Sequence, residues 1–113
     1  MPEPIPHQLL HYTDSSGVDQ FGRWLEGLAD VTTRAAIAAR LMRLRLGLFG
    51  DCKPLGSGLW EQRTHHGAGF RVFYTIEAGR VVLLLAGSDK GGQDATIKTA
   101  RQRLKDWKTR STQ

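Results

Sequence analysis

The spacing of apolar residues changes period twice along this chain, and the order of the periods is the strongest constraint on its fold. Helical spacing runs through residues 18–48, alternation through 59–87, and helical spacing returns at 97–107. A period near 3.6 residues is typical of an amphipathic helix, and a period of two of a half-buried strand. Because helices and strands come in separate runs, the order favours an α+β domain.

The first helical stretch predicts two helices. One is expected from Val18 to Leu28, after a capping pattern formed by Ser16 and Asp19. A second follows Asp30, which suits an N-cap, and ends near Gly47. Because the link between them is short, the two helices should form an antiparallel hairpin. The apolar spacing of the second helix comes from Ile37, Leu41, Leu44 and Leu48.

The alternating stretch predicts three strands, which follow a short first strand at His7–Tyr12. Short turns force consecutive strands into an antiparallel meander, so we expect a sheet of about four strands. The last strand is apolar on both faces at residues 81–85, and it should lie centrally with cover on each side. The three strands are predicted at Leu59–His65, Phe70–Glu77 and Arg80–Gly87, with turns at 67–69 and 78–79.

A third, basic helix is predicted around Ile97–Trp107. We expect residues 1–6 to be loose because they are rich in proline, and residues 109–113 because they lack apolar anchors. At 113 residues the chain is long enough for one domain, spanning 1–113. The positive charges around the helix are Lys98, Arg101, Arg103, Lys105 and Lys108.

Composition limits the partners and the compartment. The net charge of +5 and the pI near 9.9 favour a polyanionic partner, either nucleic acid or an acidic protein. The single cysteine, Cys52, cannot form an internal disulfide, which suits a reducing cytoplasm. No signal peptide or membrane span is visible, so we expect a cytoplasmic protein without a membrane partner.

Metal and cofactor chemistry is not expected. The four histidines do not form an H-E-x-x-H pattern, and none has a ligand spacing that includes Cys52. There is also no phosphate-binding P-loop and no G-x-S-x-G nucleophile elbow. We therefore expect no metal site and no cofactor.

Basic and aromatic residues on the predicted strands are the remaining candidates for chemistry. Arg71 interrupts an apolar strand and Arg63 lies in the strand before it, with His65 and Tyr74 nearby. RNA cleavage suits such a set, because the attacking 2′-hydroxyl belongs to the substrate and arginine binds phosphate oxygens. Alternation places Arg71 and Tyr74 on opposite faces unless a bulge intervenes. Arg63 has an alternative, structural role as the ion-pair partner of Glu61 or of a carboxylate on a helix.

Several segments of the chain contain residues whose order and spacing are specific when they are taken together. These residues are Phe21, Trp24, Leu25, Leu28, Arg40-Leu41, Arg43-Leu44, Gly50-Asp51, Lys53, Gly56, Gly58, Glu61, Arg63, Gly69-Phe70-Arg71-Val72, Tyr74, Leu83 through Lys90, Gln93 and Ile97. The set resembles one known family, the HigB-like "addiction module killer protein" branch of the RelE/ParE toxin superfamily. The similarity extends over most of the chain, from Phe21 to Trp107.

The resemblance implies a RelE-like fold, in which a helical hairpin packs on a twisted antiparallel sheet with a further helix at the C-terminal end. It also implies the toxin of a type II toxin-antitoxin system, an mRNA endoribonuclease that acts at the ribosome and inhibits translation. The implied partners are the ribosome, mRNA and a cognate antitoxin with a helix-turn-helix, which alone would contact operator DNA.

The resemblance also points to individual residues. It implies catalytic roles for Arg71, Arg63 and Lys90, with Gln93 following, and a phosphate-binding role for Lys53. Independently of the resemblance, we expect Tyr74 or His65 to assist proton transfer, because relatives commonly have other residues at the position of His65. On the second helix, Arg40 and Arg43 form either an RNA-contacting face or an ordinary solvated one.

Two other functions fit the same residues. The ParE branch of the superfamily poisons DNA gyrase and catalyses nothing. A degenerate toxin would be a non-catalytic, antitoxin-binding repressor subunit. Gyrase-linked DNA breaks would indicate the first, and harmless expression in cells the second.

Overall fold

The computed structural model describes residues 5–65 and 69–111, and at Lys90 it describes the backbone alone. Most of the turn predicted at 67–69, and the outer parts of both predicted loose ends, lie outside the described residues. The elements are β1 (Gln8–His11), α1 (Gln20–Glu26), α2 (Val31–Arg45), β2 (Cys52–Gly56), β3 (Leu59–Thr64), β4 (Phe70–Glu77), β5 (Val81–Asp89), a 3₁₀ turn (Lys90–Gly92) and α3 (Gln93–Ser111).

The strands form one five-stranded sheet in the order β1-β5-β4-β3-β2. The meander of β3, β4 and β5 is antiparallel as predicted, and the α+β class is confirmed. Two features differ from the prediction: β1 pairs with β5 in parallel, and β2 is an additional edge strand that pairs with β3. Pro54 lies in β2, where an edge position tolerates its missing N–H.

Each face of the sheet is covered by helix. The hairpin of α1 and α2 packs on one face, and α3 packs on the other. Strand β5 contributes Val82 and Leu84 to the hairpin side and Leu83 and Leu85 to the α3 side, which confirms that it is an interior strand covered on both faces.

A bulge between β4 and β5 leaves the alternation of β4 intact. Phe73 is the partner of Ala86 and Tyr74 of Leu84, so the extra residue is Leu85 on β5. Arg71 therefore shares a face with Phe73, which packs among α3 residues, whereas Tyr74 packs among hairpin residues.

The start of α2 agrees with the sequence prediction, whereas α1 and α3 differ from it. Helix α1 begins at Gln20 with Asp19, not Ser16, as its N-cap. Asp30 is the N-cap of α2, as predicted, and its carboxylate accepts from the backbone N–H of Thr32. Helix α3 continues to Ser111, past the point where loose residues were expected, because Arg110 forms an ion pair with Asp106 and donates to the carbonyl of Thr13. Among the described helices, none combines the length and apolar character needed to cross a bilayer.

Candidate active site

Arg63 and Arg71 lie directly opposite each other on β3 and β4. Paired residues of neighbouring strands point to the same side, so both guanidinium groups belong to the face covered by α3. Like charges directly opposite each other are destabilising, and a nearby anion reduces this repulsion.

The anion that lies beside Arg71 is the carboxylate of Glu61. Its side chain is fully buried, and its Oε1 lies 2.5 Å from Nε of Arg71, whose side chain is 16% exposed. Lys53 Nζ lies 4.0 Å from Oε2 of Glu61, and Gln93 Nε2 donates to Oε1 at 3.4 Å. Arg71 and Lys53 thus flank one carboxylate, and Arg63 lies opposite Arg71 on the same face, so three cations share this face with one anion.

The cluster is not fully satisfied internally. Within the described part of the chain, Nη1 of Arg71 and Oε2 of Glu61 are buried without a hydrogen-bond partner. The close contact between Nε and Oε1 is an ion pair rather than a well-aligned hydrogen bond, because Nε also lacks one. Buried donors are normally paired, so Glu61 satisfies the guanidinium of Arg71 only in part, and a ligand can approach it through the 16% of the side chain that is exposed.

The start of α3 borders this cluster. The carboxylate of Asp89 accepts from the backbone N–H groups of Gly91 and Gly92 and so caps the turn that brings Gln93 to Glu61. Lys90 belongs to the same turn, but its side chain lies outside the described part of the structure.

A second group of polar residues lies at the end of β3. His65 Nε2 lies 2.6 Å from Oδ2 of Asp51, and the His65 side chain is 72% exposed. The N–H of Arg63 donates to the Asp51 carbonyl at 3.0 Å, and Arg40 Nη2 donates to the Arg63 carbonyl at 3.3 Å. The hydrogen bond from His65 and the charges of Arg63 and Arg40 lower the pKa of Asp51. The carboxylate therefore stays ionised and orients the imidazole, as in many acid-base pairs.

Tyr74 does not join these groups. It is 1% exposed on the hairpin face, with its ring stacked on Phe49 at 6.4 Å between centroids. Burial, with the contact to Cys52, raises the pKa of its hydroxyl. The sheet itself separates Tyr74 from Arg71, so a shared role in proton transfer has no geometric support.

The remaining sequence candidates divide between the site and the surface. Lys53 and Gln93 contact Glu61 in the first cluster, and Arg40 contacts Arg63 next to the second cluster, which contains His65 and Asp51. Arg43 is exposed on α2, among residues that point away from the sheet.

Sequence reasoning assigned no role to Asp51 and left Glu61 as a possible partner of Arg63. The available signal was the alternation of β3, which puts Glu61 on the same face as the apolar Leu59 and so predicts a buried carboxylate. Among the described residues, no three His, Cys, Asp or Glu side chains are grouped as metal ligands.

Residues 23–105 match the family described as "Phage derived protein Gp49-like (DUF891)". This chain belongs to the Gp49-like family. A protein of Haemophilus influenzae, described as an uncharacterized protein, is 42% identical over 81 residues, which covers 72% of this chain and 82% of the relative. The Gp49-like family is a family of toxin-antitoxin toxins of the RelE-like type, and membership implies a cognate antitoxin as a partner. All members of the two clusters lie within the Gp49-like match.

Proposed function

We propose that this protein is a ribosome-dependent mRNA endoribonuclease, the toxin of a type II toxin-antitoxin pair. The observation that carries the proposal is the placement of Arg63 and Arg71 directly opposite each other on one face of the sheet. Two guanidinium groups at this spacing suit the oxygens of a single phosphate.

Glu61 explains how Arg71 is held for this task. The carboxylate binds the Nε side of the guanidinium, while Nη1 lacks a partner within the described structure. Arg71 is thus oriented before RNA arrives, and a donor that needs no reorganisation stabilises a transition state best.

The chemistry follows from the substrate. The ribose 2′-oxygen forms a bond to phosphorus, the bond from phosphorus to the 5′-oxygen breaks, and the 2′-hydroxyl proton must leave while the 5′-oxygen gains one. Arg63 and Arg71 stabilise the charge that grows on the phosphate oxygens. We assign the proton transfer to His65, whose imidazole is oriented by the carboxylate of Asp51. The cleaved RNA would carry a cyclic phosphate at one end and a 5′-hydroxyl at the other.

Other basic side chains extend the surface toward RNA. Lys53 is half exposed beside Glu61, and Arg40 reaches the end of β3 from α2. We assign them, with Gln93 and Lys90, to binding of the message rather than to bond cleavage. The positive surface favours association with RNA through its phosphates.

The test is cleavage of messages in a translation extract, with RNA ends mapped in the presence and absence of ribosomes. We expect cleavage by the wild type to need ribosomes. Arg63→Ala should lower the rate on the order of 100-fold, as loss of one charge-stabilising donor does elsewhere. Arg80→Ala is the charge-matched control, because Arg80 lies exposed in the turn between β4 and β5, and it should cleave like the wild type.

Two results would contradict the proposal. Intact messages in an extract whose translation has stopped would favour another target, and gyrase-linked DNA breaks would identify that target as gyrase. Normal translation at saturating protein would favour a non-catalytic, antitoxin-binding subunit.

A further inference from the structure

Helix α2 is apolar on two sides rather than one. Ile37 and Leu44 are completely buried against the sheet. Val31, Met42 and Leu46 are instead 66%, 50% and 49% exposed. Exposed apolar side chains are unremarkable one by one, but a contiguous row of them marks a surface that binds another molecule.

The exposed residues do form one row. At 100° per residue, they fall within an arc of roughly 80° that runs about 22 Å from the start of α2 to its C-cap. The arc lies opposite the buried side of the helix. Its members, called the outward stripe below, are Val31, Ala35, Ala38, Met42 and Leu46, all exposed.

Arginine residues border the outward stripe on both sides. The same helical geometry puts Arg34 and Arg45 along one edge and Arg43 along the other. Residues 31–46 contain no Asp or Glu, so no acidic side chain of α2 itself offsets these charges. An apolar row between cationic edges is complementary to an apolar row between anionic edges.

The outward stripe also lies apart from the proposed cleavage site. It faces away from the sheet on the hairpin side, whereas Arg63 and Arg71 belong to the face covered by α3. A molecule bound along α2 can therefore hold the protein without contacting the arginine pair.

We propose that the outward stripe is the docking surface for an acidic amphipathic helix of a partner protein. The small side chains of Ala35 and Ala38 allow a helix to approach closely, while Met42 and Leu46 provide apolar anchors. A second copy of this chain fits poorly, because two sets of arginine edges would face each other. The identification of this partner as the antitoxin rests on the proposed function. The acidic and amphipathic character of the partner rests only on the chemistry of the surface.

The test uses three helix-stapled peptides of roughly 16 residues, the length of the outward stripe. All share one row of leucine and alanine, and the flanking positions are glutamate, glutamine or lysine. Binding to the full-length protein is measured by fluorescence anisotropy. We expect the glutamate peptide to bind most tightly, the lysine peptide least, and the difference to shrink with added salt.

Two variants locate the binding. Met42→Glu should weaken the glutamate peptide at least about 10-fold, since it places a repelling, hydrated charge at the centre of the stripe. Gln102→Glu makes the same charge change at an exposed position of α3 and should leave affinity unchanged. Circular dichroism of both variants verifies that they are folded.

Equal binding of the three peptides, or binding that survives Met42→Glu, overturns the proposal. So does a dimer in sedimentation that Met42→Glu dissociates, which would make a second copy the occupant. Peptide binding without RNA cleavage would refute the proposed function alone, and cleavage without peptide binding would refute this inference alone.

Discussion

Among single residues, Glu61 matters most for the arginine pair, because its buried carboxylate orients the guanidinium of Arg71. The interruption of an apolar strand by Arg71 was enough to single that residue out from sequence, and Arg63 followed from the strand before it. The actual partner of Glu61 was not predictable, because register between strands places Arg71 and not Arg63 against the carboxylate. Sequence alternation fixes faces within a strand but not the diagonal contacts between strands.

Removal of Arg71 should cost stability as well as activity. Arg71→Ala leaves the fully buried Glu61 carboxylate with the Lys53 ammonium at 4.0 Å and one long hydrogen bond from Gln93, at 3.4 Å. Breaking a buried pair from one side costs about 3 kcal/mol, and we expect a loss of that order in urea unfolding. Adding Glu61→Gln should restore part of the loss by removing the stranded charge. If the double variant is less stable than Arg71→Ala alone, Glu61 is not the partner that matters.

The two tyrosines predict the response to alkali. Burial raises the pKa of Tyr74, and burial together with the hydrogen bond to Asp106 raises that of Tyr12, both above the ordinary value of 10.0. The folded state disfavours the ionised phenols. The free energy of unfolding therefore keeps its full value below pH 10 and decreases as pH rises further. Phenolate absorbance at pH 10 should therefore be lower for the folded protein than for the urea-unfolded chain. Equal phenolate absorbance of the folded and unfolded chains at pH 10 would contradict the burial of both rings.

At the scale of elements, the fold was readable wherever periodicity was strong. The three strands of the meander and the capped start of α2 lie close to where the sequence placed them. Strand β2 was missed because it is a short edge strand that contains Pro54, a residue that argues against a strand in most positions. The parallel pairing of β1 with β5 joins segments about 70 residues apart, and local patterns carry no information on such a contact.

The contact between α1 and β5 depends on a glycine. A Cβ added to Gly87 would lie 2.2 Å from the Trp24 ring, so the ring must move. Gly87→Ala should lower the free energy of unfolding by about 1–3 kcal/mol, as other overpacked cores do. Trp24→Leu in the same chain should relieve most of that overpacking.

Gly91→Ala is the matched control for this prediction. Its added Cβ would make only ordinary contacts, at 3.6 Å from the Asp89 carboxylate. Equal stability losses from Gly87→Ala and Gly91→Ala would show that the packing of Trp24 on β5 is not the cause.

At the scale of the whole molecule, the protein presents two functional surfaces on opposite sides of one sheet. The α3 face holds the arginine pair and Glu61, and the hairpin side carries the outward stripe of α2. The net charge of +5 predicted a polyanionic partner but not this division. Composition does not show how the charges are divided between the two faces of the sheet. The fold is needed to show that Arg40 lies near Arg63 and that Arg43 does not.

The proposed cleavage requires that Arg63 and Arg71 bind the same phosphate, and a double-mutant cycle on the cleavage rate measures whether they do. Arg71→Lys is the suitable variant, because it keeps a cation beside Glu61 while removing the planar fork. Arg63→Ala and Arg71→Lys should each slow ribosome-dependent cleavage on the order of 100-fold. Together they should slow it by clearly less than the product of the two effects, since groups that bind the same phosphate are coupled. If the two losses multiply, or if either variant leaves the cleavage rate unchanged, Arg63 and Arg71 do not act on one phosphate.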